Sequence, residues 1–497
     1  MALPRFEPSL EQFTSFARAR NVVTVYRTLV GDTLTPVSAY RKFARGGYSF
    51  LLESAVGGAK MARYSFLGTE PFQVFRARGN RVEIEADGQT RRFESADPIA
   101  ELEKEVARFQ AADVPGIPRF CGGAVGYAAY DAIRYVERLP NVPPDPLGVP
   151  DMLFAFYDLM VIFDHVNRTI LVACSARLEG QDPARAYERA CARINEAVER
   201  LRTPVTELTD DIVARGEVTL PYESNFGKEE FCAAVERCKE YIYAGDIFQV
   251  VLSQRLSAAT SATPFNVYRA LRIINPSPYM FHLHMDDLHL VGSSPEVMVK
   301  VEGGKITVRP IAGTRRRGPT VEADEALAAE LLSDPKERAE HIMLLDLGRN
   351  DVGRISQYGS VKIEEEMIIE RFSHVMHMTS TVTGTLDATK SCFDAFRYCF
   401  PAGTVSGAPK IRAMEILDEI EPVKRGPYAG AVGYVDFRGN LDTCIAIRTI
   451  ILKGDRAIVQ SGAGIVADSV PEREYEETLN KARGLLRAIQ VAEEAFA

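Results

Sequence analysis

The stretch SDPKERAEHIMLLDLGRND, residues 333–351, sets a condition that the whole fold must meet. Asp334 is a good helix cap, Pro335 suits a first helical position, and Glu337 stands three residues past the cap. The stretch therefore predicts a helix. From residue 342 to 347 it is apolar on nearly every side, which predicts burial. Yet Glu337 and Glu340 fall on one face, three residues apart. A carboxylate on a buried helix needs a cation, a donor or a proton.

A second helix, predicted over 471–494, repeats the theme. Ser469 and Glu472 form a candidate capping box around Pro471. Glu474, Glu477 and Lys481 then share one face, beside an apolar stripe of Leu479, Ala482, Leu486 and Ile489. Two helices thus each offer an i,i+3 carboxylate pair. Mg²⁺ prefers oxygen ligands and keeps room for water and an anionic substrate, so such pairs suit it. The alternative is plain: Glu337 caps its helix, and Glu477 with Lys481 is an exposed i,i+4 pair worth about 0.3–0.5 kcal/mol. Spacing leaves both open.

Working outward, strand patterns are joined by short turns. The turns fall at Asp87-Gly88, Asn167-Arg168, Asp286-Asp287, Gly303-Gly304, Gly439-Asn440 and Gly454-Asp455. Hairpins of this kind predict largely antiparallel sheets and an α+β class. Residues 11–20 and 183–202 read as helices, and 21–29 and 48–54 as strands. Residues 206–225 are polar, acidic and aperiodic, a candidate linker between regions 1–205 and 226–497. The second region opens with a helix whose face is Phe231, Val235, Cys238 and Ile242, stopped by Gly245.

The net charge of −9 disfavours nucleic acid or anionic membrane as the main partner. Eight scattered cysteines without a CxxC pair read as reduced core thiols of a cytoplasmic protein. The N-terminus lacks an apolar signal core, and the longest apolar run, 152–163, is broken by Asp158. Arg315, Arg316 and Arg317 read as a solvated turn.

Other stretches carry weaker chemical signals. PAGTVSGAPK, 401–410, is a Gly-rich turn entering a helix, but Ala408 and Pro409 break the Walker pattern. QSGAGIV, 460–466, is a strand whose glycines would let a ligand approach the backbone. His374 and His377, spaced for opposite faces, are candidate proton-transfer groups or structural histidines. Arg448 stands within the apolar CIAIRTIIL, read as a strand, and needs an anion from protein or ligand.

Taken together, RPIAGTRRRG, the 333–351 helix, PAGTVSGAPKIRAMEIL, YAGAVGYVDFRGNLDTCIAIRT and QSGAGIVADSVPEREYEETLNKA resemble the chorismate-utilising enzymes over about 227–489. VYRTLVGDTLTPVSAYRKF with YSFLLES resembles the N-terminal region of that family's anthranilate synthase branch. Ala312, before Gly313-Thr314, also matches that branch, whereas aminodeoxychorismate synthases usually carry Lys there. Gln249 stands where isochorismate and salicylate synthases use a Lys to activate water.

The resemblance implies a β-sandwich-like core with helices outside, and the conversion of chorismate and ammonia to anthranilate and pyruvate. It implies Mg²⁺ on Glu340 and Glu477, with Glu474 nearby. It places Tyr428, Arg448 and the 462–464 backbone (Gly462, Ala463, Gly464) on the enolpyruvyl carboxylate. Gly313 and Thr314 would contact substrate, Thr404 would lie near the reacting ring, and Lys481 would support electrostatically. His377 would be the base and Glu337 an acid. Ser54, Pro278, Tyr279 and Met280 match the family's tryptophan-feedback site. With no glutaminase motif before Ala497, ammonia would come from a separate glutamine amidotransferase subunit, commonly in an α2β2 assembly. A subunit that binds tryptophan without turnover is the alternative from another class.

Overall fold

The computed structural model describes residues 5–54, 63–204, 211–372 and 375–496. Its framework is two twelve-stranded sheets. The first runs from Val22–Val30 through Thr169–Arg177, Leu159–Asp164, Tyr64–Thr69, Tyr48–Glu53, Tyr279–Met285, Leu288–Ser294, Thr449–Lys453 and Arg456–Ile465 to Gln249–Ala259 and its edge. The second runs from Ile311–Arg316 through Val375–Thr385, Lys305–Val308, Val297–Glu302, Leu441–Ile445, Ala431–Asp436, Gly123–Ala128, Met152–Tyr157, Gln73–Arg78 and Arg81–Ala86 to Gln89–Glu94. Neighbours pair antiparallel: Met280 opposes Glu53 in the first sheet, and Gly433 opposes Gly126 in the second. Those two pairings join strands from either side of 206–225, so both sheets continue across that segment.

The sheets pack face to face. Phe50 and Leu67 of one share a core with Leu153 and Tyr157 of the other, and the Phe50 and Tyr157 rings meet edge to face at 4.8 Å. Helices Pro183–Arg202, Pro264–Ile274 and Pro471–Phe496 cover the outside of the first sheet. Helices Pro98–Ala107, Cys392–Cys399 and Pro335–Gly353 cover the outside of the second. The architecture is the antiparallel α+β fold expected from the turns, with the sandwich-like core that the resemblance implies. Backbone geometry gives the reason. Asp87 and Gly88 have φ of 51° and 72°, and Gly303 and Gly304 have 58° and 78°, the left-handed pairs that close two-residue hairpins.

Two crossings between the sheets lie side by side. The chain leaves the first sheet after Ser294 and enters the second at Val297; it leaves the second after Ile445 and re-enters the first at Thr449. The Ile445 amide donates to the Glu296 carbonyl at 3.0 Å, and the Ser293 amide donates to the Arg448 carbonyl at 3.1 Å. Each crossing therefore pins the other.

The structure corrects three expectations. Arg448 is not inside a strand but in the second crossing, with φ of 51°. Apolar strands on both sides of a short crossing look like one strand in sequence. The helix Pro335–Gly353 is not buried all round. Leu344 and Leu345 are in the core, but Ile342 is 44% exposed because one flank alone lies on the sheet. Arg315–317 is no solvated turn: Arg315 and Arg316 end a strand, and Arg317 forks onto Asp324 at 2.8 and 3.0 Å. His374 lies outside the described residues. Among the described residues no helix is long and apolar enough to cross a membrane.

Candidate active site

The two carboxylate helices converge on the strands that carry Gly313, His377 and Gly462. On the helix Pro335–Gly353, Asp334 accepts the amides of Lys336 and Glu337 at 2.9 and 3.3 Å, so the expected cap is present. The cation demanded by Glu337 is Arg315, whose Nη1 donates to Oε1 at 3.0 Å while its Nη2 reaches Asp334 at 3.1 Å. Glu340, half-buried one turn further, accepts from Gln249 Nε2 at 3.3 Å. Burial, and then the neighbouring Glu337 carboxylate, push the Glu340 carboxyl above its usual range, with a smaller push from Glu477.

On the helix Pro471–Phe496, Lys481 Nζ contacts Glu477 Oε1 at 2.7 Å and donates to the Gly462 carbonyl at 2.9 Å. The Glu477 and Lys481 ion pair is therefore real, and it also reaches the glycine strand. Glu474 is raised by burial and by Glu477, against the pull of the Ser469 hydroxyl. Ser469 accepts the Val466 amide at 3.1 Å, tying the end of the glycine strand to the start of the helix.

The backbone between these helices is close-fitted. A Cβ on Gly464 would stand 2.6 Å from Gln249 Nε2, and one on Gly462 would stand 2.9 Å from the Tyr428 hydroxyl. A Cβ on Gly313, whose φ is 64°, would stand 3.0 Å from Glu337 Oε2. The strand glycines read from QSGAGIV thus hold space for side chains that face the site; Ala463, between them, points into the core.

His377 is buried. Its Nδ1 lies 3.1 Å from the Gly313 carbonyl and 3.0 Å from the Thr314 hydroxyl. A carbonyl only accepts, so Nδ1 carries the proton and Nε2 carries the lone pair. Burial first, then the Arg448 and Lys481 charges, hold the imidazole down at about 4, so it is neutral at physiological pH. Arg448, half-buried at its crossing, also senses the Tyr428 phenol, which burial pushes up to about 12.

The sequence reading missed Glu296. It occupies the first crossing, 6% exposed, and burial raises its carboxyl to about 8. The Thr404 hydroxyl and Ile311 amide face it and pull slightly the other way, although Thr404 makes no bond of ordinary geometry. Thr404 and Glu296 line one cavity of about 40 Å³. The available signal was a lone Glu after Ser-Ser-Pro at the junction of two apolar strands, which reads as a surface turn.

Away from this site, a cavity of about 810 Å³ opens between the sheets. Ser54, Pro278, Tyr279 and Met280 all line it, with the Phe120 and Tyr434 rings stacked at 3.8 Å on its wall.

Paired carboxylates, cations beside them and a glycine-lined backbone thus meet in one place on the antiparallel sandwich. The chain belongs to the chorismate binding enzyme family, whose match spans residues 50–487. Within that family its likeness is to anthranilate synthase component 1. The protein of that name from Pseudomonas aeruginosa is 53% identical, covering 94% of this chain and 95% of the relative. That from Acetivibrio thermocellus is 49% identical over 98% of this chain and 99% of the relative. The crystal structure of anthranilate synthase component I from Streptococcus pneumoniae superposes with a TM-score of 0.77 at 39% identity, covering 92% of this chain and 98% of that one.

Proposed function

We propose that this chain is the large subunit of an anthranilate synthase. It joins chorismate and ammonia into 2-amino-2-deoxyisochorismate and then eliminates pyruvate to leave anthranilate, the committed step towards L-tryptophan. The observation that carries the reading is Gln249. A neutral amide, held 3.3 Å from Glu340, occupies the position where water-activating relatives place an amine, so incoming ammonia is the nucleophile.

In the first half-reaction the ammonia lone pair attacks C2, the ring double bonds shift, and the C4–O bond breaks. The departing hydroxyl needs a proton. Glu337 has an oxygen already engaged by Arg315 at 3.0 Å. Glu296, raised to about 8, holds its proton at neutral pH and is the better donor. In the second half-reaction His377 Nε2 takes the C2 proton, the enolpyruvyl C–O bond breaks, and the ring becomes aromatic. Substrate carboxylates neutralise the Arg448 and Lys481 charges that depress His377, so its basicity rises when chorismate binds.

Arg448, Tyr428 and the amides around Gly462 and Gly464 hold the enolpyruvyl carboxylate. Gly313 and Thr314 border the ring, and Thr404 faces it beside Glu296. Glu340 and Glu474, both raised by burial and also by the Glu477 charge, fit a cation between the helices. Among the described residues no three metal-binding side chains gather closely enough to chelate an ion. Glu340 and Glu477, with Glu474 nearby, would hold Mg²⁺ with water and substrate completing its shell. Bound there, it would neutralise the ring carboxylate.

In this reading ammonia arrives from a glutamine amidotransferase subunit in an α2β2 heterotetramer in the cytoplasm. The inter-sheet cavity at Ser54 takes L-tryptophan as feedback inhibitor, its Phe120 and Tyr434 wall suiting an indole. Purified chain with chorismate, Mg²⁺ and ammonium should release fluorescent anthranilate and an equal amount of pyruvate. Folded protein that yields neither, or yields 4-amino-4-deoxychorismate, overturns the reading.

A further inference from the structure

Glu421 and Arg425, neither of them assigned a substrate contact, form a buried ion pair. Glu421 caps the end of the helix Lys410–Ile420, and Arg425 lies in the irregular segment that follows. Their side chains are 5% and 2% exposed. Arg425 Nε donates to Glu421 Oε2 at 2.8 Å and Nη2 to Oε1 at 2.7 Å, a two-pronged pair. The other donors of the guanidinium go elsewhere. Nη1 donates to the Val405 carbonyl at 2.6 Å, and Nη2 also donates to the Val251 carbonyl at 2.6 Å. Glu421 in turn accepts the Ser253 amide and hydroxyl at 2.9 and 2.7 Å. The guanidinium lies 5.6 Å from the Tyr428 ring centre and 4.7 Å from that of Tyr130.

Each of these partners adjoins a residue of the site. Val405 follows Thr404. Val251 pairs across the ladder with Gly464 and lies two residues from Gln249. Tyr428 is itself the phenol whose oxygen abuts Gly462. A planar fork with fixed donor directions can hold three separate segments in one register, which an ammonium on a flexible stem cannot. Burying such a pair is a poor route to stability, since an apolar pair of similar volume often serves as well.

We infer that the Glu421 and Arg425 pair is a positioning device that sets the Tyr428 phenol and the Thr404 turn against the Gly462 strand, fixing the pocket for the enolpyruvyl carboxylate. The inference rests on the anthranilate synthase reading. It assigns the pair no contact with substrate and no part in proton transfer.

The test is a double variant, Glu421→Gln with Arg425→Met. It removes both charges together, while the introduced amide oxygen still accepts from Ser253. Arg425→Lys is the second variant, which keeps the charge opposite Glu421 but loses the fork to Val405 and Val251. Steady-state kinetics are run with ammonium, varying chorismate and ammonium separately, beside thermal melts. The expected result is a cooperatively melting protein with KM for chorismate raised about tenfold or more, and with kcat and KM for ammonium within about twofold of wild type. A chorismate KM unchanged in a folded variant overturns the inference. So does an equal fall in kcat and in both specificity constants, which a general distortion would give. If neither variant melts cooperatively, the pair is a folding element and the positioning role is overturned. Wild-type protein that forms no anthranilate would remove the functional reading itself, a result separate from all of these.

Discussion

Replacing Glu296 with Gln tests the acid assignment through two independent quantities. Burial lifts this carboxyl from 4.5 to about 8. At 1.36 kcal/mol per unit, ionising it in place costs about 5 kcal/mol more than in water. The unfolded chain loses this proton near pH 4.5 and the native chain near pH 8. Between those values the native state holds the extra proton, so stability falls as pH rises. Integrated from pH 5 to 8, the loss from this one group is about 3.5 kcal/mol. Glu296→Gln keeps the shape and removes the titration. Urea unfolding at several pH values should therefore show the variant gaining on wild type by about 3.5 kcal/mol between pH 5 and 8. An amide donates no proton to a leaving hydroxyl, so kcat with ammonium should fall by about 10²- to 10⁴-fold. Parallel stability curves would show that Glu296 is ionised at neutral pH. A kcat within about threefold of wild type would show that another group supplies the proton.

Two further outcomes follow from the geometry. Ser54→Phe places a ring in the inter-sheet cavity and should weaken tryptophan inhibition about tenfold or more, close to 1.4 kcal/mol; wild type indifferent to tryptophan would remove that assignment. Glu340→Gln withdraws a carboxylate from between the helices and should weaken Mg²⁺ binding, read by calorimetry, at least tenfold while the melting temperature holds or rises; unaltered Mg²⁺ affinity would place the ion elsewhere.

Much of the framework was legible because it is written locally. Turns such as Gly303-Gly304 announce hairpins through residues that tolerate positive φ, and Asp334 with Pro335 announces a helix start. The carboxylate pair on each helix was legible for the same reason, since i and i+3 always share a face. What escaped is non-local. Arg315 answers Glu337 across 22 positions, and Arg425 binds Val251 across 174. Glu296 owes its chemistry to burial at a crossing between sheets, and a crossing of two residues leaves strand-like patterns on both sides with little trace between them. The exposed flank around Ile342 was hidden likewise, because composition alone says how apolar a helix is, not which flank meets a sheet.

The paired crossings have a mechanical meaning. Glu296 and Arg448 stand where strands change sheets, the Glu296 carbonyl accepting the Ile445 amide at 3.0 Å and the Arg448 carbonyl the Ser293 amide at 3.1 Å. The proposed proton donor and the proposed carboxylate anchor therefore travel as one rigid hinge pin. Val297 and Arg309 line both the inter-sheet cavity and the small cavity at Glu296, so a wedge driven between the sheets bears directly on that pin. Slippage of one sheet against the other displaces donor and anchor together, and hydrogen exchange at the Ile445 and Ser293 amides is its gauge.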